Sequence, residues 1–334
     1  LKLEKNRIQR DKVTMIKVGF IGAGDIAYLH GEGVIQAQGA ELTGIWNRTS
    51  VKAEEKARLF SCKVFQSPEE LIEAVDVVYV LTNMETHHLY AKQALEAGKH
   101  VLVEKPTAVT IAEIEDLKIA AEKNSVHVAP VHNYIYEPSL LRAKEMIESG
   151  KLGDLVSLYV LYNIHHPEKV AARYPGVIRQ ILTHHAYCSL YLVGQPELVS
   201  CLKSTINDGS VSQENIAMVT MKMKNQSLSH LCASFASDDH AGDPWTFMIK
   251  LIGTKGATRY SYRDWVENTP AVVHSQTYSA YPYTIRETGK HFLDRVVGLG
   301  EMPLSSLDDA ITCMKIIEAC ETSVAENRHV EIIS

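Results

Sequence analysis

Two stretches carry residue types and spacings that could do chemistry. The first is Glu104-Lys105-Pro106, directly after the apolar, β-branched run Val101–Val103. Such a run reads as a buried parallel strand. Pro106 cannot continue a ladder and restricts Lys105 to an extended or turn conformation. A lysine is therefore presented in a set direction just past the carboxyl end of a core strand, where open α/β sheets bind ligands. The second is Gly22-Ala23-Gly24-Asp25-Ile26-Ala27, which fits G-x-G-x-x-G/A between a predicted strand and a predicted helix. The first glycine permits the tight turn, the second lets backbone approach a pyrophosphate, and the small third residue packs helix on strand. Backbone N–H groups of Asp25 and Ile26, at the helix start, then face the phosphates. The ligand this implies is a dinucleotide.

Selectivity for its ribose belongs about 20 residues further on, at the end of the second strand. There the chain reads Asn47-Arg48-Thr49, without a carboxylate. An acidic residue would accept from free ribose hydroxyls, whereas these three offer donors and a cation to a 2′-phosphate. NADP(H) is expected ahead of NAD(H). The chain has 15 histidines, with His-His pairs at 87–88, 165–166 and 184–185. Neighbouring histidines on a helix point about 100° apart, and neither H-E-x-x-H nor a cysteine partner accompanies them, so no metal is expected.

The elements needed to hold these residues alternate along the first half. Strands are predicted at Ile16–Ile21, Glu41–Trp46, Lys63–Phe65, Asp76–Leu81, Lys99–Val103 and Val126–Val131. Helices are predicted at Asp25–Ala37, Ser50–Phe60 with Ser50 as N-cap, from Pro68 behind an N-cap Ser67, His87–Ala97 and Ile111–Lys123. That alternation implies a doubly wound parallel sheet with right-handed crossovers, the Rossmann arrangement. After about Tyr134 the pattern changes. A helix over Pro138–Ser149 is followed by strands at Leu155–Ile164, Leu198–Thr205, Ile216–Met223, Leu228–Ala236, Phe247–Gly253 and Ala257–Tyr262. Helices are predicted at His184–Leu192, Glu287–Leu299 and Leu307–Glu326. Short turns between strands imply an α+β unit with a large open, mostly antiparallel sheet. The expected division is residues 15–133 for cofactor binding and 134–334 for substrate binding and oligomerisation.

Bulk properties narrow the classes. A chain of 334 residues with 46% hydrophobic content suits two domains. A net charge of −6 argues against nucleic acid as a partner. No apolar run approaches the ~20 residues that span a bilayer, so no membrane segment is expected. Six cysteines without a C-x-x-C pair fit a reduced, cytoplasmic protein. Residues 1–14 are charged, lack the apolar core of a secretory signal, and stay outside the fold argument.

Gly22–Ala27, Thr82–His87 and Ala97–Pro106 together resemble the Gfo/Idh/MocA oxidoreductase family. So do Ile147–Asp154, Leu251–Gly256 and Pro303–Ala310, and the resemblance covers about residues 15–334. It implies hydride transfer between a nicotinamide and a carbohydrate-like substrate, with Lys105 hydrogen-bonding the reacting oxygen and helping its proton move. It also implies that Thr82, Asn83, His87 and Glu104 lie beside the cofactor. The family's Asp-x-x-x-His pair aligns on Gln180 and His184, so the histidine is retained and the carboxylate is not; a shift by one residue would select His185 instead. Tyr134, Tyr136 and His165 are candidate substrate contacts. Two other readings accommodate the missing carboxylate: a glycosidase or eliminase that recycles its cofactor, and a nucleotide-bound sensor without chemistry. In the second unit, alternation of Ile216, Met218, Thr220 and Lys222 against Ala217, Val219, Met221 and Met223 leaves a sheet face to cover. With the resemblance, this implies a homodimer or homotetramer.

Overall fold

The computed structural model describes residues 15–166, 171, 175–206, 213–236, 245–261 and 280–332. Strands β1 (Ile16–Ile21), β2 (Ala40–Trp46), β3 (Lys63–Val64), β4 (Val77–Val80), β5 (His100–Val103) and β6 (Val128–Pro130) form one sheet in the order β3-β2-β1-β4-β5-β6. All its pairings are parallel. The chain winds one way from β1 and the other way from β4, so the order reverses between those two strands. The crevice at their carboxyl ends is the switch point of a doubly wound sheet. Helices α1 (Ile26–Gln36), α2 (Ser50–Phe60), α3 (Pro68–Ala74), α4 (His87–Glu96) and α5 (Ile111–Asn124) make the crossovers.

Local chemistry sets where these helices begin. Ser67 caps α3 by accepting from the Glu70 N–H at 3.1 Å, with Pro68 at the first helical position. Thr110 and Glu113 close a reciprocal capping box on α5. Helix α2 differs from expectation: Thr49 is its N-cap and Ser50 already has helical geometry.

The second half contributes α6 (Pro138–Glu148), β7 (Leu155–Ile164), a π-helical turn Ile178–Leu182 continuing into α7 (Thr183–Val193), β8 (Pro196–Ser204), β9 (Ile216–Met223), β10 (Leu228–Ser234), β11 (Trp245–Gly253) and β12 (Ala257–Ser261). Next come α8 (Ala280–His291), running on as a π-helical segment Phe292–Val297, then α9 (Leu307–Glu326) and β13 (Val330–Glu331). The sheet order is β12-β11-β7-β10-β9-β8-β13. Among the described residues only the β7–β10 pairing is parallel, so the sheet is mostly antiparallel. Helix α8 starts seven residues before the predicted Glu287 because Pro282 falls in its first turn, where a missing N–H breaks no helical hydrogen bond. Residues 1–14 and Tyr262 lie outside the described residues.

The C-terminal helices tie the two sheets together. Ile285, Phe292, Leu293 and Val296 join the core formed by Val18, Phe20 and Tyr79 beneath α1. On α9, Leu307, Ala310 and Met314 face the first sheet's other core, while Cys313, Ile316 and Cys320 face the core of the second sheet. The far face of that second sheet carries Leu202, Met218, Cys232, Leu161 and Met248 in one register row across five strands. Leu202 is 72% exposed. No helix among the described residues is long and apolar enough to cross a membrane.

Candidate active site

The glycine-rich turn leaves β1 at Gly22, whose φ of +117° is open to glycine but not to other residues. A Cβ there would lie 2.6 Å from the Leu81 carbonyl group. Gly22→Ala should therefore cost about 1–3 kcal/mol through backbone strain, read as a lower urea midpoint; an unchanged midpoint would refute this view of the turn. At Gly24 a Cβ would meet no atom within 4 Å. That position opens outward, leaving room for a pyrophosphate against the start of α1. The residues present thus fit a dinucleotide.

Asn47 has both ends of its amide engaged. Its Oδ1 accepts from the Ala23 N–H at 3.0 Å and its Nδ2 donates to the Thr49 carbonyl at 3.0 Å. It ties the turn to the β2–α2 loop and keeps one Nδ2 hydrogen to donate. The exposed groups left for a ribose phosphate are Arg48, Thr49 and Lys52, which line a cleft of about 410 Å³ with Gly24, Thr82 and Asn83. Lys52 lies one turn into α2, just past the segment read from the sequence. Asp25 occupies the N-cap of α1 without a side-chain cap bond.

A contiguous cleft of about 860 Å³ opens over the strand ends, and Ile26, Thr82, Asn83, His87, Glu104, Lys105 and Gln180 line it. Gln213, Pro175 and Tyr281 reach it from the second half of the chain. His87 bridges two loops, with its ring nitrogens 2.9 Å from the Thr82 carbonyl oxygen and 2.8 Å from that of Pro106. The Lys105–Pro106 bond is cis. The Lys105 ammonium donates to the Gln180 carbonyl at 3.3 Å. Burial pulls the pKa of Lys105 below the usual lysine range, against the opposing pull of Glu104.

Glu104 is itself buried, which favours its neutral form. The hydrogen bond to His30 and the charges of His30, Lys105 and His87 outweigh this and hold its pKa below the ordinary carboxylate range. One carboxylate oxygen lies 2.9 Å from His30 Nε2, and the other accepts from the Lys105 N–H at 3.0 Å. His30 did not emerge from the sequence reading, although a signal existed. Ala27, His30, Gly31 and Val34 follow i, i+3, i+4, i+7 on the buried stripe of α1, a place where a histidine needs a polar partner.

His184 is 5% exposed and sits one helical turn beyond Gln180, behind the cleft wall. Its Nδ1 is 2.7 Å from the Tyr187 hydroxyl, and its ring meets Tyr134 edge-on. Burial first, then the Lys105 charge, keep its pKa well below the usual histidine value. His185 points elsewhere: it is 0% exposed, stacks near Phe247, and burial pushes its pKa down to about 3. Neither ring nitrogen of His185 has a partner among the described residues. Tyr134 and Tyr136 are packing residues in the core, against Phe247 and His291 respectively, and neither lines the cleft. Those two tyrosines follow Pro130 into a buried 3-10 turn, where their rings meet other buried side chains. His165 is exposed just past the end of β7 and is also absent from the cleft lining.

A dinucleotide turn at the switch point of a doubly wound sheet, with a half-buried lysine beside it and an open second sheet behind, defines an NAD(P)-dependent dehydrogenase. Residues 16–132 match the oxidoreductase family with an NAD-binding Rossmann fold, and residues 140–259 match the GFO/IDH/MocA C-terminal domain. A glucose-6-phosphate 3-dehydrogenase from Bacillus subtilis is 36% identical over 263 residues, 74% of each chain. The chain belongs to the Gfo/Idh/MocA family. A myo-inositol 2-dehydrogenase from Thermotoga maritima is 26% identical over 95% of this chain and 98% of its own. Among solved structures, a levoglucosan dehydrogenase in complex with NADH and levoglucosan superposes with a TM-score of 0.82 at 22% identity, covering 96% of this chain and 100% of the other. That last likeness is one of fold.

Proposed function

We propose that this protein oxidises or reduces a secondary hydroxyl or ketone of a sugar or polyol, with NADP(H) favoured over NAD(H). The observation that carries this reading is Lys105, a half-buried ammonium on the wall of the large cleft, next to the glycine-rich turn. The relatives support the substrate class, since they are named for glucose 6-phosphate and inositol. Support for NADP(H) comes from Arg48 and Lys52 beside the ribose end of the cleft. A scyllo-inositol 2-dehydrogenase (NADP(+)) from Bacillus subtilis, 31% identical over 57% of this chain and 55% of its own, points the same way.

When bound, the nicotinamide supplies or accepts the hydride. The start of α1 and Gly24 receive the pyrophosphate, and Arg48, Thr49 and Lys52 receive the adenosine ribose and its phosphate. Lys105 donates a hydrogen bond to the reacting oxygen, polarising a ketone or stabilising the charge left as an alcohol loses its proton. Glu104, braced by His30, keeps Lys105 charged and oriented. His184 assists by exchanging a proton with the reacting oxygen or with Lys105. The expected division of labour is residues 15–133 for cofactor and 134–334 for substrate, with the C-terminal helices locking one to the other. The apolar row Leu202–Met218–Cys232–Leu161–Met248 supports pairing of copies as a dimer or tetramer, which light scattering on the purified chain would test.

The experiment is a fluorescence titration with NADPH and NADH, repeated with a panel of sugars, keto-sugars and inositols. Substrate-dependent consumption of reduced cofactor is the expected result; tight binding with no turnover on any substrate would defeat the dehydrogenase reading. In the double variant Arg48→Ser, Lys52→Ala, two charge-assisted contacts to the extra phosphate are lost. NADPH affinity should then fall about 10–100-fold while NADH affinity stays nearly constant. Equal losses for both cofactors would refute the assignment of these cations.

A further inference from the structure

Tyr187 has one hydroxyl hydrogen and three polar neighbours. Its oxygen lies 3.1 Å from Asn133 Oδ1, 2.7 Å from His184 Nδ1, and 3.2 Å from the Tyr134 N–H that donates to it. The hydrogen cannot serve both Asn133 and His184, so the rest of the network decides where it goes. Asn133 is fully buried, and its Nδ2 donates to Thr284 Oγ1 at 2.8 Å. The Thr284 hydroxyl in turn donates to the Tyr281 carbonyl at 2.9 Å, so Thr284 Oγ1 is left as an acceptor and the orientation of the Asn133 amide follows. Asn133 therefore turns its carbonyl oxygen to Tyr187, and that oxygen can only accept. If Tyr187 gave its hydrogen to His184 instead, the Asn133 oxygen would face a second bare oxygen lone pair in a dry site.

We infer that Asn133 and Tyr187 are positioning residues that lock His184 in its Nδ1–H tautomer, leaving Nε2 as an unprotonated lone pair. The order of donation is His184 Nδ1–H to Tyr187, Tyr187 O–H to Asn133, Asn133 Nδ2–H to Thr284, and Thr284 O–H to the Tyr281 carbonyl. Nε2 lies on the ring edge directed away from Tyr187. In this state His184 can accept a proton or a hydrogen bond at Nε2. Gln180, one turn earlier, has no carboxylate with which to orient a histidine, and a neutral tyrosine–asparagine relay performs that task from the opposite side of the ring. The flat stacking of Tyr187 on His132, with centroids 4.4 Å apart and planes 15° apart, holds the phenol in place. The consequence for turnover rests on the catalytic reading of His184 given above; the tautomer itself does not.

The test is a long-range proton–nitrogen correlation spectrum of the full-length protein labelled with 15N-histidine, with His184→Gln used to assign the resonances. The wild-type protein should have His184 protonated at Nδ1 and bare at Nε2. Asn133→Ala removes the only obligate acceptor, so Tyr187 turns its hydrogen to His184 and the ring flips to the Nε2–H form. Tyr187→Phe keeps the stacked ring but deletes the acceptor for Nδ1–H, giving a mixture of the two tautomers. In steady-state assays Tyr187→Phe should lower kcat roughly 10–100-fold with little change in KM, the usual size of an effect exerted through an orienting partner. An Nε2–H signal in the wild-type protein overturns the inference whatever the activity, and so does an Asn133→Ala spectrum identical to wild type. A folded His184→Gln enzyme with undiminished turnover would overturn the catalytic role of His184 instead, and the spectra would still decide the tautomer.

Discussion

Lys105→Met is expected to lose turnover by about 10²–10⁴-fold, the range set by removing a positioned proton donor or acceptor, while binding reduced cofactor nearly as wild type. The substitution is close in volume and leaves the backbone N–H of residue 105 to satisfy Glu104 as it does now. Glu104 also keeps its contact with His30. The proposed cofactor contacts, Gly22 to Ile26 and the Arg48–Lys52 segment, are not disturbed. What disappears is the ammonium that faces the cleft and bonds the Gln180 carbonyl. Parallel cofactor titrations and single-turnover hydride-transfer rates separate the two effects. Turnover within tenfold of wild type would exclude Lys105 as the group that binds the reacting oxygen. The alkaline limb of the wild-type rate profile should fall below the ordinary lysine range, because burial lowers the Lys105 pKa.

The second large effect is on stability in mild acid. His132, His184 and His185 are all buried, and burial holds each pKa down, to about 3 for His132 and His185. In the unfolded chain the same side chains titrate near 6.5. Between those values the unfolded chain binds protons that the folded protein refuses, so stability rises with pH across this interval and is lost as pH falls below about 6.5. At pH 5.5 His132 and His185 each cost on the order of 1 kcal/mol, and His184 adds to the loss in the same direction, together a sizeable share of an ordinary folding free energy. His100 and His291 are lowered for the same reason and act in the same direction. Denaturant midpoints at pH 7.5 and 5.5 measure the loss. His185→Leu isolates one contributor, since its ring nitrogens have no partner among the described residues. This variant should shrink the difference between the two pH values by on the order of 1 kcal/mol; an unchanged difference would show that His185 is not held neutral by burial. Glu104 adds a further loss at lower pH. Its folded pKa is depressed, so its contribution is present above the unfolded value of about 4.3 and vanishes as pH falls through the folded one.

Much of the fold was legible in the residues because its determinants are local. Ser67-Pro68 and the Thr110–Glu113 pair announce helix starts through hydrogen bonds made within one turn. The β-branched runs in β1, β4 and β5 announce strands buried on both faces. The seat of α8 against the first sheet was not legible, because Arg286 pairs with Glu32 and Tyr79 donates to the Gly289 carbonyl, contacts more than 200 residues apart in the chain.

The candidate site divides along the same line. Its proposed cofactor half is a continuous turn whose geometry is written in consecutive residues, so Gly22 to Ile26, Arg48 and Lys105 stand out as candidates in the sequence alone. Even there, the hold of Asn47 on the Ala23 N–H was not legible, because that hydrogen bond spans 24 positions. The other half depends on which side chains the packed sheets bring together. His30 on Glu104, Tyr187 on Asn133, and the burial that removed Tyr134, Tyr136 and His185 from the cleft all follow from tertiary packing. Residue types and short spacings determined that this chain builds a dinucleotide turn and offers a lysine beside it. Only the folded structure decided which histidine is braced, in which tautomer, and which aromatic rings are core, because burial and hydrogen-bond partners are set by residues far apart in the chain.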